Sequence, residues 1–159
     1  MNNETWGFTL LELLIAFSIF SIIIIALGYN FLNLFDILSL EEATINLFSA
    51  LKLFQESACS QKEYHDFFEF YPNVELCLWK VYNSNSNSYR IFRIIDLKKY
   101  KVDLISADFG SLNLLYFTSL GIPSAGGTVV LGRGRLRKYI IVTPATGRMW
   151  VSDSPPENW

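Results

Sequence analysis

The sequence predicts an α+β protein: a long N-terminal helix, membrane-spanning in its first half, packed on an antiparallel β-sheet or β-sandwich head. Three observations predict it. Residues 13–35 run for 23 positions without a charge. Residues 40–58 then place apolar side chains at spacings of three and four. From Glu75 onward, short alternating segments are punctuated by Gly and Pro.

The uncharged run comes first. At a helical rise of about 1.5 Å per residue it covers roughly 34 Å, enough to cross a hydrocarbon core of about 30 Å. No Pro occurs between residues 8 and 71, so the spacing predicts one helix from about 8 to 61. Its second half carries an apolar stripe at Leu40, Ile45, Leu47, Phe48, Leu51, Phe54 and Ala58. Ser39 ahead of Glu41 and Glu42 reads as a cap, which admits a break near 38–40. Gly28 is the expected weak point, because Gly costs a helix about 1 kcal/mol relative to Ala.

After the helix, residues 62–73 read as an aromatic-rich connector ending at Pro72. Its aromatics suit packing beneath the helix-to-sheet loop or a partner patch, and His65 reads as a loop residue. Strands are predicted at 75–82 and 89–95, joined by the polar turn of residues 83–88 into a hairpin. Further strands are expected at 100–105, 112–118, 127–132, 137–143 and 148–152. Short connections imply antiparallel pairing.

The entry to the apolar run is distinctive. It reads Gly7, Phe8, Thr9, Leu10, Leu11, Glu12, Leu13, Leu14. An ordinary signal peptide is cut after its apolar core, near small residues; here the credible cut lies before it. This pattern resembles the N-terminus of type IV pilins and type II secretion pseudopilins. The resemblance implies a leader, residues 1–7, removed after Gly7 by a prepilin peptidase, with methylation of the new amine at Phe8. It implies a filament-core and membrane helix at 8–35, and a head at 36–159 outside the cytoplasm. Its partners would be the inner membrane, the assembly platform and other pilin subunits. This leader departs from the family in carrying Glu4 and no Lys or Arg.

Glu12 has its own physical problem. A carboxylate in a membrane helix costs roughly 2.5–3.5 kcal/mol, so one that is kept is usually functional. By the resemblance its partner is the Phe8 amine of a neighbouring subunit, which fixes axial register. The alternative is a carboxylate facing lipid headgroups.

The C-terminal half also carries a pattern: Phe117 to Gly121, Gly126-Gly127-Thr128, the apolar run 139–142, and Thr146-Gly147-Arg148. It resembles minor pilins of the GspH/FimT type. Residues 60–110 carry no such mark.

Charge is uneven within a chain of 159 residues and net −2. Residues 36–75 hold eight acids and two bases; residues 133–148 hold five bases and no acids. Within the latter, Arg133, Arg135, Arg137 and Lys138 are candidates for binding DNA. At period two the three arginines would share one face of an extended segment, and guanidinium forks match phosphate oxygens. The other reading is a solvated hairpin that meets a neighbour's acidic region. Cys59 and Cys77 are a candidate disulfide in an exported domain, or two small buried side chains. One His and no nucleophile–base pair argue against a metal site, a cofactor or catalysis. The expected role is a structural and assembly subunit, with DNA uptake as the alternative.

Overall fold

The computed structural model describes residues 9–60, 66–110 and 113–156. A single helix, α1 (Leu10–Ser60), runs for 51 residues. The chain divides into two compact units at Asp36 and Ile37.

The first unit is the apolar half of α1. None of its most apolar window is buried, and Phe17, Phe20 and Ile25 are among its exposed side chains. Its two serine hydroxyls turn inward on the helix. Ser18 Oγ donates to Leu14 O and Ser21 Oγ to Phe17 O, both at 2.8 Å. Polar groups satisfied within their own helix are what a hydrocarbon environment requires.

The second unit begins with the rest of α1. The helix does not break near 38–40. With no Pro or Gly there, the backbone ladder continues through Ser39, and the helix start is capped at Thr9 instead. The buried stripe is Leu40, Ala43, Leu47, Ala50, Leu51, Phe54 and Ala58. It is narrower than the predicted one: Ile45 is 57% exposed and Phe48 only partly buried. Alanines at 43 and 50 take their place, because small side chains let the strands approach the helix axis. Thr44 is buried too, and its hydroxyl donates to Leu40 O at 2.6 Å.

Among the described residues eight strands follow: β1 (Phe67–Tyr71), β2 (Leu76–Asn83), β3 (Ser88–Asp96), β4 (Asp103–Asp108), β5 (Leu114–Leu115), β6 (Gly127–Arg133), β7 (Leu136–Val142) and β8 (Met149–Ser152). They form two four-stranded sheets, ordered β3-β2-β1-β5 and β4-β6-β7-β8. Every pairing is antiparallel.

Three expectations need correction. Residues 67–71 are not connector but β1, an interior strand of the first sheet. Phe68 and Phe70 face the core while Phe67, Glu69 and Tyr71 face out; aromatics on both faces hid the alternation. The strand expected at 100–105 starts at Asp103, since 98–100 form a 3₁₀ turn. Of the strand expected at 112–118, residue 112 lies outside the described residues, and the rest shrinks to Leu114–Leu115 with a lone bridge at Phe117. His65 lies outside the described residues.

Phe54 ties α1 to the first sheet. Its ring centroid lies 5.8 Å from Phe68, 5.3 Å from Trp79 and 5.5 Å from Phe117. Such tilted and edge-on pairs add about 0.5–1.5 kcal/mol each beyond the area they bury.

Candidate functional site

Two places hold the chemistry that the sequence singled out: the start of α1 and the β6–β7 hairpin.

At the start of α1, Thr9 and Glu12 cap the helix reciprocally. The Thr9 amide donates to Glu12 Oε2 at 2.9 Å, and the Glu12 amide donates to Thr9 Oγ1 at 3.2 Å. The Thr9 hydroxyl donates to the same carboxylate oxygen at 3.0 Å. This is a capping box, which satisfies amides that the first helical turn leaves open. The Thr-x-x-Glu spacing announces it, a role beside the intersubunit pair and the headgroup-facing carboxylate expected for Glu12. Gly7 and Phe8 lie outside the described residues, and so does any contact between Phe8 and Glu12.

The hairpin does not present its bases together. β6 ends at Arg133 and β7 starts at Leu136, so Gly134 and Arg135 form the turn, with Gly134 at φ +58°. Arg133 pairs across the ladder with Leu136, and Arg137 with Gly132. Paired residues share a face and successive residues alternate. Arg133 and Arg137 therefore point to opposite faces, and the expected single arginine face is not formed. The turn breaks the period of two.

Arg133, Arg137 and Lys138 each find a partner within the head. Arg133 Nη1 donates to Tyr100 O. Arg137 Nη1 donates to Gly134 O at 2.8 Å and Leu136 O at 2.7 Å. Lys138 Nζ lies 2.7 Å from Asp153 Oδ1 and 2.9 Å from Glu41 Oε2. Hydrogen bonds to Asp153 and then Glu41 raise the Lys138 pKa above the usual ammonium range. Arg135 stays exposed at the turn. The partners Glu41 and Asp153 lie 97 and 15 positions away, beyond the reach of any local pattern.

The two cysteines are free thiols and not a disulfide. Cys77 sits inside the first sheet, opposite Phe70 and Ile95, and desolvation pushes its pKa up to about 12. Cys59 is exposed on α1. The reading of Cys77 as a small buried apolar side chain agrees with this placement; Cys59 departs from it.

The outer face of the first sheet carries an ion pair between Lys80 and Glu69. Lys80 Nζ lies 2.5 Å from Glu69 Oε2 and within 3.5 Å of the Tyr71 hydroxyl. The Glu69 hydrogen bond raises the Lys80 pKa. Burial pushes Glu69 upward, but hydrogen bonds with Lys80 and Tyr71 and the Lys80 charge outweigh it and hold Glu69 below its usual range.

Residues 7–28 match the family model of the prokaryotic N-terminal methylation motif. That match supports the class of type IV pilin and pseudopilin precursors. Comparison with curated proteins and with solved structures gives no match. The matched segment opens a helix that is long and apolar enough to cross a membrane, which fits membrane anchoring.

Proposed function

We propose that this chain is a minor pilin or pseudopilin of the GspH/FimT type, an assembly subunit of a type II secretion pseudopilus or type IV pilus. A prepilin peptidase removes residues 1–7 and the amine of Phe8 is methylated. Residues 8–35 anchor the subunit in the inner membrane, with the head outside the cytoplasm, and later enter the filament core. There the Glu12 carboxylate pairs with the Phe8 amine of a neighbour. Opposite charges on two apolar helices set register because any other alignment leaves both unpaired.

The observation that carries this reading is the methylation-motif match at 7–28, lying on an apolar half-helix with none of its most apolar window buried. A soluble protein would cover such a surface, whereas a lipid bilayer or a bundle of like helices covers it here. The experiment is co-expression with a prepilin peptidase followed by intact-mass analysis. Loss of the seven residues before Phe8 and one added methyl group supports the reading. An uncut chain, or a cut after the apolar run, overturns it.

A further inference from the structure

The four outer strands of the two sheets are not alike. β5 is two residues long. β8 is four residues long and leads into Asp153, Pro155 and Pro156. β4 has Asp103 and Asp108 at its ends and a register shift between Leu104 and Ser106. Shortness, proline, charge and irregularity are the devices that keep edge strands from pairing with other chains.

β3 uses them least. It is nine residues long and outermost in its sheet, with no Pro or Gly. Tyr89, Ile91, Phe92 and Ile94 are 50%, 51%, 59% and 58% exposed. Its one irregularity, at Phe92, turns that ring onto Trp79 with centroids 4.6 Å apart. Residues 88–91 and 93–96 keep regular register on either side.

The two sides of this edge differ in chemistry. Ile91 pairs with Lys80, Ile94 with Leu78 and Tyr89 with Tyr82, which puts all three on the outer face. Tyr89 continues an aromatic strip there, its ring 4.9 Å from Phe67 and 5.4 Å from Tyr82. Arg90 pairs with Val81 and Arg93 with Trp79, which puts both guanidiniums on the inner side. Arg93 Nη2 donates to Asn46 Oδ1 at 3.2 Å, whereas Arg90 is exposed and has no ion-pair partner among the described residues.

We propose that β3 is a docking edge for an extended strand of a different protein chain, one that alternates apolar and acidic side chains. Main-chain hydrogen bonds to the free edge would supply affinity, and alternate side chains would supply specificity. The apolar residues of the guest would extend the strip of Tyr89, Ile91 and Ile94. Its carboxylates would meet Arg90 and Arg93. A second copy of this chain fits poorly, because pairing two β3 edges sets two arginines on each strand against two on the other, with one Asp96 on each in return. Like charges brought together across an interface select against that pairing.

The test uses the full chain in detergent micelles and fluorescent, end-blocked nine-residue peptides, one alternating valine and glutamate, the other valine and lysine. Anisotropy is expected to show the glutamate peptide binding about tenfold tighter, with Arg90→Glu reversing that preference. Ile91→Asn, at an exposed position, is expected to weaken the glutamate peptide. Amide exchange is expected to slow within 88–96 on binding. Equal affinity for the two peptides, indifference to Arg90→Glu, or protection confined to other strands overturns the proposal. The reading of the N-terminus as a processing site is tested separately by mass, so either can fail without the other.

Discussion

Lys138 Nζ lies 2.9 Å from Glu41 Oε2, joining the β6–β7 hairpin to α1 within the head. The lysine side chain is only 17% exposed and Asp153 holds it from the other side at 2.7 Å. An ammonium already neutralised by two carboxylates offers little to a phosphate. The basic run is thereby divided: Lys138 and Arg133 serve the fold, and Arg135 faces solvent.

That division predicts different effects within one run. Lys138→Gln is expected to lower the melting temperature slightly, since partly exposed ion pairs contribute about 0–1 kcal/mol each. It is expected to leave DNA retardation unchanged at every salt concentration. A mutant that keeps its stability but loses DNA retardation would place Lys138 on phosphate. Arg135→Gln, by contrast, should leave stability unchanged.

A second prediction concerns Gln55. Its Nε2 donates to Gly121 O and to Gly147 O, each at 2.8 Å. One amide therefore clamps two turns whose glycines have φ of +73° and +64°. Gln55→Ala leaves both carbonyls short of a donor and should cost about 1–3 kcal/mol by denaturant unfolding. Gly147→Ala should cost more: its Cβ would lie 2.1 Å from Gly121 O, at a φ that disfavours a side chain. An unchanged midpoint for both variants would mean that the clamp carries no stability.

The head should also lose stability at both extremes of pH. Glu69 is held below its ordinary value of 4.5, so its contribution is complete above that value and lost as pH falls below it. Lys80 and Lys138 are held above 10.5, so their contributions are complete below that value and lost as pH rises past it. Thermal melts of Lys80→Met, in which Glu69 lacks its partner, should show a smaller drop between pH 6 and pH 3 than the parent. Parallel curves would exclude the pair as the source.

Glu12 carries two separable roles. Gln in its place keeps the capping geometry with Thr9 but removes the charge, whereas Val removes both. Under the register-setting reading, Glu12→Gln and Glu12→Val should both reduce incorporation into filaments, while insertion and cleavage continue. Normal incorporation of Glu12→Gln beside a defective Glu12→Val would assign the residue to the helix cap alone.

The long helix was legible because nothing interrupts it: no charge from 13 to 35 and no Pro until residue 72. The motif glycines were legible as turns, and Gly121 and Gly147 do sit at positive φ. What they turn toward, the amide of Gln55, was not. β1 escaped because both faces of Phe67–Tyr71 are aromatic, so its alternation of burial is invisible in residue type. The arginine face failed for a local reason: a two-residue turn at Gly134 and Arg135 reverses the strand between Arg133 and Arg137.

By itself the sequence determined the segment-level character of this protein. An uncharged helical run, a Gly-Phe entry and a Thr-x-x-Glu start are properties of adjacent residues, and solvation and helix geometry act on them without help from the rest of the chain. Only the tertiary structure decided which charges are available. Lys138 met Glu41 across 97 positions, Arg133 met the Tyr100 carbonyl, and β3 was left at the edge with Arg90 unpaired among the described residues. Those outcomes follow from strand order and register, which depend on how distant segments share one core, and local patterns carry no record of that.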